Sequence, residues 1–449
     1  MHSDWIEKIF KLGANKGFSA QEVYYLSGKN LVLSLYEGEV ERFSSSETLG
    51  VSYRGIKDGK MGYAYTERMD DDSLKQLIEQ ADSNAEIIES DDEVFLYDGK
   101  GTYREINRFN PKLNTRTVEE KIAFLKSVEK LALEKDARIK RLSGTNYAES
   151  ETVRRIVNTL GLDVESRANL CYAYTICVAE DGGDTRTGIG YDVSNDLADL
   201  FAEKIAQDAV LEAIGKLGAK SVKSGNYPVV FRNETFGELL SAFTGIFDAE
   251  RVQKNLSPLK NKLGETIAAV EFTLIDDPHL EGGLSSGGFD AEGVPTAPKA
   301  IVENGVLKTY LHNLKTAHKD GIPSTGNASK GSYKGTVGIS PSNLVVPNGK
   351  SSFDALLKDT DFGIYIDNVQ GLHAGLNTIS GDFSLQCSGR AVENGRLTYP
   401  VSQITVSGNF FEMLRQIECI ADDQKFTIMA ADYIGTPSVR IKGLTVSGE

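Results

Sequence analysis

The order helix, strands, helix occurs twice in the first half of this chain, and that repeat constrains the fold more than any other feature. Trp5, Ile6, Ile9, Phe10 and Leu12 recur at helical spacing within residues 3–17, and Gly17 closes the segment. Strand-like runs follow at 31–36, 49–53 and 61–65, with Asp58-Gly59 as a hairpin signal between the last two. Asp70-Asp71-Asp72 then opens a helix running to about Ala85, the carboxylates facing the positive end of the helix dipole. The same order returns with a helix over 118–134, strands at 139–147, 153–159, 168–178 and 186–191, and a helix from Asp196 to about Leu217. The pattern predicts a duplicated α+β domain over residues 1–222. The acidic stretch 86–93 and the polar stretch 99–116 read as the connection between the two copies.

Around 220–228 the texture changes. Helical periodicity largely stops, apart from one helix over about 235–247, and Gly and Ser become frequent. Val302-Glu303-Asn304-Gly305-Val306-Leu307 and Val392-Glu393-Asn394-Gly395-Arg396-Leu397 each place Asn-Gly at a turn, the signature of two-residue hairpins. Residues 223–449 are therefore expected to form a second, mainly antiparallel β domain, separated from the first near residue 222.

Charge narrows the partners. With 49 basic and 64 acidic residues the chain carries a formal −15, so direct nucleic-acid binding and adhesion to an anionic membrane are not expected. No apolar run is long enough for a membrane helix. Met1 to Phe10 carries charges where a signal peptide needs apolar residues, which predicts a cytoplasmic chain. The four cysteines include no CxxC pair, and Cys171 and Cys177 share one face of a strand, as buried or free thiols would.

The usual catalytic patterns are mostly missing. His2, His279, His312, His318 and His373 include no pair four residues apart and no HExxH. No P-loop or dinucleotide fingerprint is present. Gly283-Leu284-Ser285-Ser286-Gly287 matches G-x-S-x-G, but no helix follows to hold a nucleophile elbow. The segment reads as a loop, with a metal-independent serine hydrolase at Ser285 or Ser286 as the alternative. Lys330 to Gly335 reads as a solvated basic loop, with a phosphate or peptide carboxylate as its alternative partner. Asp290 and Glu292 share a face if extended; they read as anchors for backbone N–H groups, with an acid pair as the alternative.

Several motifs in the second half occur in a specific order. Ile275-Asp276-Asp277-Pro278-His279-Leu280 precedes Gly282-Gly283-Leu284. Phe289-Asp290-Ala291-Glu292-Gly293-Val294-Pro295, the stretch 305–311 and Ser324-Thr325-Gly326-Asn327-Ala328 follow. Gly381-Asp382-Phe383-Ser384, the stretch 404–410 and Pro437-Ser438-Val439 complete the series. Across about 225–447 this order resembles the TldD/PmbA family, and within it the PmbA (TldE) branch, once called modulator of DNA gyrase.

The resemblance implies two kinds of subunit that pair into a zinc metalloprotease acting on small, loosely folded polypeptides. The TldD kind carries His-Glu-x-x-x-His on a helix and a downstream cysteine ligand; the PmbA kind lacks them. On a straight helix two histidines five apart point ~140° apart, so that helix has to bend or end. The matching positions here are Ser241, Ala242 and Ile246, so the histidine, glutamate and histidine roles are empty. The cysteine region, 424–435, holds no cysteine. The resemblance thus implies no cofactor in this chain and zinc in a TldD-like partner, with this chain as the non-catalytic subunit that shapes a peptide chamber, and a homodimer when it is alone. Phe289, Asp290, Glu292, His312 and Asn327 are the expected substrate-binding residues. A stand-alone peptide-binding or gyrase-modulating module is the rival reading.

Overall fold

The computed structural model describes residues 4–89, 92–358 and 360–449. Met1 to Ser3, with His2, and Ser90 and Asp91 of the acidic stretch lie outside the described residues.

The first half is one six-stranded antiparallel sheet with helices on one face. Its first copy comprises α1 (Asp4–Asn15), β1 (Ala20–Tyr36), β2 (Glu39–Lys57), β3 (Lys60–Thr66) and α2 (Asp71–Ile87). Its second comprises α3 (Val118–Lys135), β4 (Ile139–Asn158), β5 (Asp163–Asp181), β6 (Asp184–Ser194) and α4 (Ala202–Gly215). The sheet order is β3-β2-β1-β4-β5-β6, and β1 runs antiparallel to β4 at the centre. The predicted duplication is thus a joined sheet in which each copy supplies three strands.

Local chemistry explains the boundaries. Asp70 caps α2 by accepting from the Ser73 amide, and Thr117 and Glu120 form a reciprocal capping box on α3. Asp58 and Gly59 both adopt positive φ at the β2–β3 turn, as do the Asn-Gly pairs at 304–305 and 394–395. Two expectations are corrected. The strands expected at 139–147 and 153–159 are one strand, β4, because polar residues 148–152 pair with β1 on one side and β5 on the other. Asp196 caps only a short 3₁₀ turn, Leu197–Asp199, and α4 starts later, at Ala202.

Alternation along the strands sets what each face meets. Val23, Tyr25, Val51 and Tyr53 pack beneath α1 and α2, and Cys171 and Cys177 lie among the residues beneath α3 and α4. The intervening residues Tyr24 and Ile156 face the other way, where they pack with Phe289, Ala291, Ala328 and Tyr333 of the second half.

That second half contains β7 (Gly225–Phe231), α5 (Asn233–Phe243), a short helix α6 (Ala249–Gln253), β8 (Leu274–Asp276), β9 (Lys299–Glu303) and β10 (Val306–Leu307). It builds two six-stranded sheets. One orders β10-β9-β8 with strands Asn343–Val345, Tyr433–Thr436 and Lys425–Thr427. The other places β7 between Phe362–Gln370 and Val439–Ser447. Among the strand ladders of these two sheets in the described residues, only Asn343–Val345 with Tyr433–Thr436 and β7 with Phe362–Gln370 are parallel. A single hydrophobic core joins both sheets to α5 through Phe236, Leu239, Leu240 and Phe243, the last stacked on Phe410 at 4.1 Å.

The stretch 99–116 does more than connect the two copies. Tyr103 Oη donates to the Gly293 carbonyl (2.9 Å) and Arg108 to the Ser286 carbonyl (3.1 Å), while the Asn110 amide donates to Asn169 Oδ1 (2.8 Å). It is a strap across both halves. It lies so close to the second half that a Cβ on Gly288 would collide with the Arg104 carbonyl oxygen.

Candidate functional site

Two places were singled out by sequence, the end of α5 and the loops around 285–292. At the first, Ser241 lies in the last turn of α5. The α-helix ends at Phe243 and tightens into a 3₁₀ turn over Thr244–Phe247, which carries Ile246. The helix therefore ends between the two positions, as two convergent side chains there would require. Ser241 Oγ donates to Asp432 Oδ2 (3.0 Å) and accepts from the Asp432 amide (2.8 Å), and Thr244 Oγ1 donates to the same carboxylate oxygen (2.6 Å). Ile246 is in the core. Burial raises the Asp432 carboxyl above its ordinary range, against the two hydroxyl donors.

Zinc sites use three or four His, Cys, Asp or Glu donors. Here one carboxylate is occupied by two hydroxyls, and among the described residues no trio of such donors converges anywhere. Cys419 Sγ donates to Ser351 Oγ, and Cys387 is buried in the sheet core. The residues at the end of α5 do not suit the metal.

The second place is a cavity of about 1050 Å³ between the halves. Its floor is the helix-free face of the first sheet, including Thr152 and Arg154 of β4 and Ser166 and Ala168 of β5. The strap forms one wall, and loops 285–290 and 326–331 form the roof. Three of the five expected substrate-binding residues line it, namely Phe289, Asp290 and Asn327. Glu292 instead lines a neighbouring cavity of about 360 Å³. His312 lines neither of these two cavities: its ring is 1% exposed, its Nδ1 has no hydrogen-bond partner, and burial lowers its proton affinity.

The polar atoms of these residues are largely committed. Asp290 Oδ1 accepts from the amides of Glu292 (2.8 Å) and Val294 (3.0 Å), and Oδ2 from that of Ala328 (3.0 Å). Burial and the nearby Glu292 charge push its carboxyl up while the amides pull it down. Glu292 accepts from Arg54 (3.1 Å) and from the Leu314 amide (2.9 Å). Asp290 and Glu292 thus act in different directions and do not form an acid pair. Asn327 Nδ2 donates to buried Asp276 (2.7 Å).

Ser286 donates to the Leu280 carbonyl (2.8 Å) and accepts from Asn343 (2.9 Å), whereas Ser285 is exposed. No histidine hydrogen-bonds to either hydroxyl among the described residues; His279 meets Thr296 instead, at 3.3 Å.

The loop 330–335 is only partly solvated: Gly331 and Lys334 are exposed, but Lys330 and Tyr333 are not. Tyr333 is buried, and its carbonyl accepts from Tyr63 Oη (2.5 Å). Lys330 is held between the Tyr24 and Tyr63 rings, 4.5 and 5.0 Å from their centroids, and donates to Ser52. Burial lowers its pKa to about 7.

Sequence reasoning missed Arg108 and Arg154. Arg154 donates to the Phe289 carbonyl (2.9 Å) and lies 4.7 Å from that ring's centroid. Arg108 is lowered to about 10 by burial and by Arg154. The available signal was cations beside aromatics within a stretch taken as a connector, Tyr103-Arg104 and Arg108-Phe109.

Three family models match the chain: PmbA/TldA metallopeptidase domain 1 over residues 22–85, the central domain over 111–217 and the C-terminal domain over 224–448. This chain belongs to the PmbA/TldD metallopeptidase family. Solved members superpose closely. A putative modulator of a DNA gyrase from Thermotoga maritima gives a TM-score of 0.91 at 36% identity, covering 99% of this chain and 100% of that one. TldE from Thermococcus kodakarensis gives 0.90 at 27% identity, with the same coverage. Among curated relatives, the metalloprotease PmbA homolog of Haemophilus influenzae is 28% identical over 99% of this chain and 94% of its own. The PmbA/TldD fold accounts for the α+β architecture. Among the described residues, no helix is long and apolar enough to cross a membrane.

Proposed function

We propose that this chain is the metal-free subunit of a two-subunit PmbA/TldD-type peptidase, shaping the chamber in which a zinc-bearing partner cleaves small, loosely folded polypeptides. One observation carries the reading. At the helix end where the family's catalytic kind would gather its metal, Ser241, Thr244 and Asp432 close a hydrogen-bonded cluster instead. Zinc, on this reading, resides in the TldD-like partner, and the chain by itself pairs as a homodimer, the commonest closed assembly. The serine-hydrolase alternative at Ser285 or Ser286 gains no support: Ser286 spends its proton on the Leu280 carbonyl, and among the described residues no histidine hydrogen-bonds to either hydroxyl.

The test is reconstitution. Mixing the chain with a relative bearing His-Glu-x-x-x-His should yield a heteromer that cleaves peptides when neither chain does so alone, and changing the partner's glutamate should abolish the activity. Light scattering that shows only monomers, alone and mixed at micromolar concentration, would defeat the reading. So would chelator-resistant peptidase activity of the isolated chain.

A further inference from the structure

We infer that the cavity between the two halves is a carboxylate-recognition site for an extended acidic peptide, with Arg104, Arg108 and Arg154 as the recognising cations. The chain as a whole is strongly acidic, yet this cavity gathers cations. Arg108 donates to the Ser286 carbonyl and Arg154 to the Phe289 carbonyl, and Arg154 also meets the Tyr24 hydroxyl, which leaves further N–H donors on each. A guanidinium has five N–H donors. Neither of them, nor Arg104, has a carboxylate partner among the described residues. Several other enclosed arginines are paired with carboxylates, Arg54 with Glu22 and Glu292, Arg116 with Asp196 and Arg155 with Asp163, whereas Arg390 meets only the Thr398 carbonyl. Arg154 adds to the burial that lowers Arg108, a cost that an anion held between the two guanidiniums would offset. The acids at hand do not serve. Asp290 is taken by three amides, and Glu105 and Glu165 are exposed.

The cavity's shape and surface suit a peptide better than a small anion. Its volume exceeds what a phosphate or acetate needs, and Tyr24, Tyr103 and Phe289 give it apolar walls between the charges. Guanidiniums bind carboxylates by parallel N–H donation, which fixes direction as well as affinity. The strap supplies Arg104 and Arg108 while β4 supplies Arg154, so a carboxylate bound here joins the strap to the second copy of the first domain beneath the roof of the second half. The peptide part of this inference rests on the subunit reading above; the anion part does not.

The test is label-free calorimetry on the full chain, without any partner. The probes are a ten-residue Gly/Ser peptide carrying two central Glu residues and its Gln counterpart, each with a free and an amidated C-terminus. Inorganic phosphate alone is a further probe. Charge-assisted hydrogen bonds predict that the Glu peptide binds roughly ten- to hundredfold tighter than the Gln peptide, with the gap narrowing as salt rises. A preference that follows the free C-terminus also supports the site and assigns the carboxylate to the chain end.

Arg108→Gln and Arg154→Gln should erase the preference. Arg104→Gln, at an exposed side chain with no partner, should reduce it without affecting folding. Equal affinity for Glu and Gln peptides overturns the inference, as does binding of phosphate alone, or a preference that survives Arg104→Gln unchanged. Loss of reconstituted peptidase activity with the peptide preference intact would sink the subunit reading and spare this one. Activity without preference would do the reverse.

Discussion

Arg54→Met should expose how the two halves are held together. The Arg54 guanidinium lies 2.6 Å from Glu22 and 3.1 Å from Glu292, and all three side chains are at most 11% exposed. One acid belongs to the first sheet and the other to the second half, so the cation joins them. Methionine keeps much of the apolar volume and removes the charge, stranding two carboxylates. Removing one partner of a buried pair costs about 3–5 kcal/mol. Unfolding entropy near ~2.1 cal/mol/K per residue gives about 0.9 kcal/mol/K for 449 residues unfolding as one unit. The melting temperature should therefore fall by roughly 3–5 °C near neutral pH.

The pH dependence has a definite sign. Burial already raises the Glu22 carboxyl, and Arg54 pulls it back. A carboxyl raised in the folded state contributes stability that is fully present below its unfolded pKa and is lost as pH rises through the folded one. Without Arg54 the folded value climbs further. The deficit of the variant is then largest at pH 8 and shrinks toward pH 5, by up to about 1.4 kcal/mol per pH unit for each proton taken up. Asp290, already raised by burial and Glu292, adds to the trend. Lys330 acts in the same direction: burial and Arg54 lower its pKa to about 7, so without Arg54 it takes up its proton at higher pH, which shrinks the deficit further as pH falls. Calorimetry or urea unfolding of parent and variant at pH 5.5, 6.5, 7.5 and 8.5 provides the measurement. A difference below about 1 kcal/mol at pH 7.5, or one that does not change with pH, would refute the reasoning.

Gly288→Ala should lift the strap from the second half, because the added methyl meets a backbone carbonyl that has no side-chain freedom to yield; limited proteolysis across residues 99–116 should quicken severalfold, and an unchanged rate would show that the strap is held elsewhere. Asp432→Ala removes the acceptor shared by Ser241 and Thr244 and should cost about 1–3 kcal/mol in urea unfolding, with Asp432→Asn costing less. Elemental analysis of the purified chain should find no stoichiometric zinc dependent on 241–246, and one tightly held zinc lost on mutating that helix would contradict the donor-set argument. Ser285→Ala and Ser286→Ala should leave the activity of a reconstituted complex within roughly tenfold, since loss of a true nucleophile costs far more, about 10⁴ or greater; a covalent serine-probe adduct would show otherwise.

Much of this molecule is determined by short-range chemistry and so can be read from the chain. Asp70 and Thr117 start helices because their side chains accept from amides three residues ahead. Asp58-Gly59, Asn304-Gly305 and Asn394-Gly395 turn strands back because those residues tolerate positive φ. The alternation of Val23, Tyr25, Val51 and Tyr53 marks the face that helices cover. That Ser241, Ala242 and Ile246 are not metal-binding residue types is likewise a matter of residue identity.

Tertiary structure decided the rest. Residues 148–152 look like a turn because they are polar, and they are strand because neighbouring strands satisfy their backbone from both sides. Lys330 and Tyr333 look solvated, and are enclosed because Tyr24, Tyr63 and Glu67 arrive from some 260 or more residues away to meet them. The stretch 99–116 looks like a linker, and becomes the wall of a cavity only when both halves dock on it. Whether a charge is paired depends on what lies opposite in space. The chain order shows that Arg54, Arg108 and Arg154 are cations; only the packing gives Arg54 two carboxylates and leaves Arg108 and Arg154 facing an open cavity.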